Sequence, residues 1–501
     1  MDDQKTIRKS LKEPLLGENN DQERNQQTSI NPDTKATAQT QKLDQDLTMT
    51  SAMKKIFSLA IYPIIGMVFH PAYHICNSII LGHDEDPRLL ASLGLGGLTI
   101  SIFLLSVGIS FCGSLDTLIS QAFGQKDFRL CGIYLNRQLY LTTLVYIPLA
   151  IPLWFCEYGF LYFGQDPFIS SQAAIYVRVC IPGILFFTYG SCLGRFCSGH
   201  RETRFGMVSN IFSSIIHFFL AYLLAITLDL GMFGIAIASC IHFFLRFLVY
   251  VVLIAKSERL RASLVSIWDP NCKNDLWPQF VLSLQCASLG IWSWWAFDIF
   301  TLIASYMSVD DLAAQTVLRN IGLLTYMIPV GLSISSVILV GNMIGANNPN
   351  GAKLYAKMCT LSAFIWALAS VAFINLLQGQ VIGIFSSSVS VNELILRAFN
   401  IISIFVFFDC VQGVGQGVIR GLGKQGEASY VTIFGYWVLG IPISIDAVFY
   451  HSGGIVGLWI GPSVAIIFNF IFYYVLILRT DWQKVCDEVQ ERRARDNKKL
   501  Q

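Results

Sequence analysis

Gly124-Gln-Lys-Asp-Phe-Arg-Leu-Cys-Gly-Ile-Tyr134 aligns with Gly345-Ala-Asn-Asn-Pro-Asn-Gly-Ala-Lys-Leu-Tyr355, and each follows a long apolar run. Gly231-Met-Phe-Gly234 and Gly454-Ile-Val-Gly457 repeat at a similar separation. Self-similarity at this distance reads as two halves of one design. In membrane transporters, parallel repeats of this kind form two lobes around a central site.

Outward from these strings, apolar runs of about 20 residues or more recur, each long enough to cross a hydrocarbon layer of about 30 Å as a helix. About twelve such runs are expected, near 56–81, 89–122, 132–155, 172–194, 205–228, 231–255, 278–306, 313–341, 353–384, 393–419, 427–450 and 453–478. The second and ninth exceed the required length, so tilting or protrusion is expected. The fold class is therefore an all-α polytopic membrane protein, with twelve transmembrane helices in two six-helix lobes related by an internal repeat. The expected domains are a disordered tail over 1–50, an N-lobe over 51–255, a linker over 256–277, a C-lobe over 278–478 and a C-terminal tail over 479–501.

Composition agrees. The 501 residues are 54% hydrophobic and 14% charged, with a mean hydropathy of +0.55, against about 45–50% and 25% in soluble domains. Thirty-five basic and 33 acidic residues leave a net charge of +2, which excludes nucleic-acid binding through bulk charge. Thirteen cysteines stand singly, many in apolar runs as Cys180, Cys240 and Cys410 do, without a C-x-x-C pair. They read as small buried side chains, not as a disulfide framework or zinc site. Residues 1–50 lack the apolar content to offset ordering entropy, and no apolar core follows Lys5, Arg8 and Lys9, so no signal peptide is read there. Glu13-Pro14-Leu15-Leu16 matches a dileucine sorting pattern, but so short a match arises easily by chance.

Loop charge orients the chain. One alternating set carries Lys126, Arg129, Arg195, Arg201, Arg204, Lys256, Arg259, Arg261, Lys273, Lys353, Lys357, Arg420 and Lys424. The other carries Asp84, Glu85, Asp86, Glu157, Asp166, Asp229, Asp310 and Asp311, with Arg88 as its clear base. By the positive-inside rule the first set is cytoplasmic, and Lys54, Lys55 and Arg479 place both termini there.

An ionisable group at bilayer depth costs on the order of 3 kcal/mol and calls for a reason. Asp298 lies in Trp292-Ser-Trp-Trp-Ala-Phe-Asp298 of the seventh run and Asp409 in Phe405-Val-Phe-Phe-Asp409 of the tenth. No Lys or Arg is evident opposite them, and carboxyl groups among aromatics suit proton loading and release. The alternative is a hydrogen-bonded acid that ties two helices together. Asp116 sits near the end of the second run, where a cap or gate contact is expected. Asp446 reads as interfacial. His70, His74, His217 and His242 read as polar cavity lining, since the first pair lacks an acidic companion for a metal site. Trp294, Trp295, Tyr306 and Tyr326 suit stacking on a planar or cationic ligand, or else packing and interface anchoring. Gly423-Lys424 precedes Gln425 and lacks P-loop context, so an ion gradient, not ATP, is the expected energy source.

Several strings are longer and more specific: Leu115-Asp-Thr-Leu-Ile-Ser-Gln-Ala-Phe-Gly124, Trp294-Trp-Ala-Phe-Asp298, Val340-Gly-Asn-Met-Ile-Gly-Ala-Asn-Asn-Pro349, Ile419-Arg-Gly-Leu-Gly423 and Leu478-Arg-Thr-Asp-Trp482. In order and spacing the chain resembles the eukaryotic branch of the multidrug and toxic compound extrusion (MATE) family. The resemblance implies a two-lobe antiporter that exports organic solutes in exchange for protons or sodium by alternating access. It places the coupling acids at Asp298 and Asp409. Relatives exporting organic cations carry Glu where this chain has Ser293 and Asn320, and bacterial relatives carry Asp where it has Asn77. The first two differences weaken a preference for cations, and the third weakens coupling through the first lobe.

The expected function is a secondary active antiporter of multidrug or xenobiotic type, proton-coupled through Asp298 and Asp409, with Trp294, Asn320 and Tyr326 contacting substrate. It is not an enzyme and uses no metal or cofactor. Its expected partners are a small organic solute, protons ahead of sodium and the lipid bilayer, with no nucleic acid; the chain is expected to be a monomer in the plasma membrane or a vacuolar or endosomal membrane. A lipid-linked oligosaccharide flippase is the nearest alternative, disfavoured because Arg178 and Arg246 are the main basic candidates within the spans. A membrane-embedded acyltransferase-like enzyme is the alternative from another class, and His200-Arg-Glu202 is a poor motif for it.

Overall fold

The structure, a computed structural model, describes residues 48–69, 71–82, 86–385 and 388–500. The tail over 1–47 with its Glu13–Leu16 stretch, His70, Asp84 and Glu85 lie outside the described residues. Among the described residues, eleven helices are long and apolar enough to cross a membrane, and one bent pair makes a twelfth if it is taken as one span. In chain order they are α1 (Met49–Gly82), α2 (Pro87–Gly124), α3 (Phe128–Trp154, bent by 50° onto Cys156–Tyr162), α4 (Pro167–Gly199), α5 (Arg204–Thr227) and α6 (Gly231–Lys256). The second half follows with α7 (Leu276–Ser305), α8 (Val309–Gly345), α9 (Pro349–Leu376), α10 (Val389–Leu422), α11 (Gln425–Tyr450) and α12 (Gly454–Arg479). A polar helix, α13 (Trp482–Leu500), ends the chain.

Proline and local widening shape these helices. The bend in α3 comes just after Pro152, whose ring removes a backbone donor and crowds the preceding turn. π-Helical stretches interrupt α2 at Ser101–Leu105 and α11 at Phe434–Gly440. The outer faces are apolar and uncovered: Phe212, Ile215 and Phe219 follow helical spacing on α5, as do Leu361, Ile365 and Leu368 on α9. Such a girdle suits lipid, not water. The expected ninth run is in fact two helices, since α9 stops at Leu376 and Gln378–Phe385 forms a separate one.

The sequence repeat has a conformational cause. Lys126 and its counterpart Asn347 are both left-handed, with φ of 59° and 57°. Next to them, Asp127 accepts a hydrogen bond from the amide of Leu130 at 3.1 Å, and Asn348 accepts one from that of Gly351 at 2.7 Å. A left-handed turn followed by an N-cap thus opens both α3 and α9. Asp229 and Ser452, with φ of 52° and 50°, precede Gly231 and Gly454 in the same way.

Gly124 and Gly345 meet across the two halves. A Cβ on Gly124 would lie 2.1 Å from the carbonyl oxygen of Asn342, and one on Gly345 would lie 2.0 Å from that of Gln121. The ends of α2 and α8 therefore cross backbone against backbone on one face of the molecule. On that same face α13 touches both halves: Tyr134 donates to Asp496 at 2.6 Å, and Gln490 donates to the carbonyl of Gly345 at 2.9 Å. Its Trp482, Val485, Cys486 and Val489 are buried at helical spacing, so one face of α13 packs against the bundle.

The connection between the halves is docked on the first. Asn136 donates to the carbonyl of Val265 at 2.9 Å, and Arg137 to that of Asn271 at 3.1 Å. His200, just past α4, is fully buried, with Nδ1 2.8 Å from the carbonyl oxygen of Phe196 and Nε2 3.2 Å from Ser263 Oγ of the connection. Burial pushes its pKa from 6.5 down to about 4, opposed by the Phe196 carbonyl and reinforced by Arg259. Above pH 6.5 the ring is neutral whether folded or unfolded. As the pH falls toward 4, the unfolded chain takes up a proton that the folded chain refuses, so stability declines by at most about 3 kcal/mol. The thermal midpoint of the wild type should drop between pH 7.5 and 5 by more than that of His200→Asn.

Candidate functional site

Three helical stripes and one side chain of α11 enclose a cavity of about 250 Å³ in the second half. On α10, Phe405, Asp409, Gln412 and Gln416 recur at turn spacing; on α8, Arg319, Gly322, Leu323 and Tyr326 do the same. Ser293, Trp294 and Phe297 form the α7 wall, and Tyr436 the α11 side. Gly413 admits the Tyr326 ring, since a Cβ there would lie 2.5 Å from it. The walls are aromatic, and the polar groups are few and separate.

Of the expected site residues, Asp409, Trp294 and Tyr326 line this cavity. Asn320 does not, because it lies about 100° around the helix from Arg319, off the stripe that ends in Tyr326. Asp298 does not line it but pairs with Arg319, whose Nη2 donates to Asp298 Oδ1 at 2.9 Å while Nη1 donates to Thr301 Oγ1 at 3.2 Å. The expectation that no cation opposes these acids is therefore wrong for Asp298. Asp409 has no ion-pair partner among the described residues.

Arg319 is the residue that sequence reasoning missed. Its signal was present: a base within a 37-residue apolar helix, two turns before Tyr326 on the same face. Arg195 was misplaced for a different reason, since α4 continues to Gly199 and carries Arg195 inside it. There Arg195 pairs with Asp116, which also takes Arg420 Nη1 of the second half at 3.1 Å. Thr117 donates to the carbonyl of Arg420 at 2.6 Å, and Gln121 to that of Gly421 at 3.0 Å. The two halves are thus bonded together at the face where Gly124 meets Gly345. Arg195 and Arg420 both face Asp116, so neither stands as a free cation between the halves.

In the first half, His217 Nε2 lies 2.9 Å from Asn77 Oδ1, and Asn77 Nδ2 donates to Ser239 Oγ at 2.9 Å. Tyr73 stacks on His242 with ring centroids 4.9 Å apart. These groups form a buried polar core between helices. Among the described residues, no group of three or more His, Cys, Asp or Glu is placed to hold a metal ion. Asp446 is 62% exposed and 3.3 Å from His451 at the end of α11.

The MatE family model matches residues 63–223 and 290–445, one stretch in each half. The chain belongs to the MATE family. It is 29% identical over 467 residues to multidrug and toxin extrusion protein 1 of Xenopus tropicalis, covering 92% of this chain and 80% of that protein. Multidrug and toxin extrusion protein 2 of Mus musculus is 28% identical over 423 residues, covering 83% and 73%. The crystal structure of the eukaryotic MATE transporter AtDTX14 matches with a TM-score of 0.83 at 23% identity, covering 89% of this chain and 99% of that one. An outward-facing multidrug resistance MATE family transporter of the MOP superfamily matches with a TM-score of 0.76 at 18% identity, covering 88% and 97%. This MATE protein is an integral membrane transporter and not an enzyme.

Proposed function

We propose that this MATE protein exports organic solutes in exchange for protons, alternating between openings on its two faces. The observation that carries this reading is Asp409, a carboxylate without an ion-pair partner among the described residues, in an aromatic cavity that has room for a small ring solute. A cationic group of a solute needs the ionised carboxylate, and a proton removes that ionisation. The two therefore compete for one site, which is the requirement for exchange. Trp294 and Tyr326 supply stacking faces. Asp298, whose charge Arg319 already matches, sets the field beside the site, and a second proton passes through it only when that pair parts.

In this reading the closed face is cytoplasmic, by the excess of Lys and Arg in its loops. Opening it requires parting Asp116 from Arg420 and Gly124 from the α8 end, so each transport cycle breaks and remakes these contacts. The chain acts as a monomer in the plasma membrane or a vacuolar or endosomal membrane.

Purified protein in sodium-free, ATP-free vesicles should move an aromatic solute when a pH gradient is imposed, and should stop when the gradient is collapsed. Movement that survives the collapse but needs sodium or ATP would overturn proton coupling.

A further inference from the structure

The cavity holds a charge that a simple cation exporter does not need. Arg319 lines it together with Asp409, on the stripe that also carries Tyr326. A guanidinium has five N–H donors. Two are committed, to Asp298 and Thr301, and among the described residues no other acceptor is bonded to this group. The contact with Asp298 uses one carboxylate oxygen, not the two-oxygen fork that Arg forms when fully engaged. The side chain remains 32% exposed. The site therefore presents a partly free planar donor of positive charge and, separately, a free carboxylate, between aromatic walls.

We propose that Arg319 is a substrate-binding residue and that the cavity selects aromatic solutes carrying a carboxylate, or a similar planar anion, together with a cationic centre. The anionic group takes the uncommitted guanidinium donors, and the cationic centre takes Asp409. A solute with only a cation meets the repulsion of Arg319; one with only an anion meets that of ionised Asp409. Each loses one favourable contact and gains one unfavourable one, so discrimination arises from both.

This inference rests on the reading of the cavity as the solute site, but its test does not need a proton gradient. Equilibrium binding to detergent-purified protein is measured for three probes with one aromatic body: N,N,N-trimethylphenylalanine betaine, 2-phenylethyltrimethylammonium and 3-phenylpropionate. The betaine should bind about tenfold more tightly than either of the others. Arg319→Gln alone leaves Asp298 unmatched, so the charge-neutral pair Arg319→Gln with Asp298→Asn is the informative variant. Its thermal midpoint should stay near wild type, and the betaine should lose its advantage over the cation. Arg319→Lys should retain part of that advantage. Binding of the cation as tightly as the betaine, no binding of any probe to the wild type, or an undiminished preference in the double variant would each overturn the inference. A clear betaine preference without transport under a pH gradient would instead overturn proton exchange and leave the inference standing.

Discussion

Asp409→Asn, reconstituted at wild-type density, exports a cationic aromatic probe under a pH gradient about 100-fold more slowly than the wild type. Asn keeps the volume and most of the hydrogen bonding of Asp, so α10 and its stripe of Phe405, Gln412 and Gln416 stay in place. What is lost is the group for which proton and solute compete. The variant should still bind a neutral aromatic probe, because the walls of Trp294, Phe297 and Tyr326 are untouched. Asp298→Asn behaves differently. It leaves the Arg319 guanidinium unmatched in the cavity wall and slows export of the cation by repulsion, and the charge-neutral variant Asp298→Asn with Arg319→Gln restores it. If that double variant remains inactive while Asp409→Asn still couples to pH, the proton is carried by Asp298 and the assignment must be reversed.

Gly345→Ala, alone or with Gly124→Ala, slows transport by about tenfold or more, because the two helices cannot close to their present distance. Each added Cβ would meet a backbone carbonyl oxygen at 2.0 or 2.1 Å, and a backbone atom cannot swing away as a side chain can. Overpacking of this kind costs about 1–3 kcal/mol, which opposes closure of this face. Hydrogen exchange at the ends of α2 and α8 should rise in step with the loss of transport. Gly379→Ala is the control: nothing lies within 4 Å of its added Cβ, and both readouts should match the wild type. Wild-type transport by Gly345→Ala would show that this crossing is not part of the working cycle.

Much of the molecule was legible in one dimension. Apolar runs of membrane length have few alternatives to helix, because every backbone polar group must find a partner within its own segment. The repeated Gly124 and Gly345 strings were legible because a left-handed residue followed by an N-cap leaves a local signature. The acids at 298 and 409 stood out because charge at bilayer depth is rare. Asn320 stands one position off the stripe that lines the cavity, and the helical period counted back from Tyr326 reaches Arg319. Hydropathy falls before α4 ends, so the sequence alone sets Arg195 in a loop, and helix boundaries are blurred in sequence.

By itself, then, the sequence determined the class, the repeat, the family and the presence of intramembrane charge, all of which depend on residues near one another in the chain. Only the tertiary structure decided which charges are free. Asp116 meets Arg420 across 304 positions, and Asp298 meets Arg319 across 21 positions on a neighbouring helix. No periodicity within one helix specifies such a meeting, because it depends on how far each helix is rotated and slid against another. That rotation follows from close packing over the whole interface, down to a glycine admitting a carbonyl oxygen, and it left Asp409 as the cavity carboxylate that no cation among the described residues neutralises.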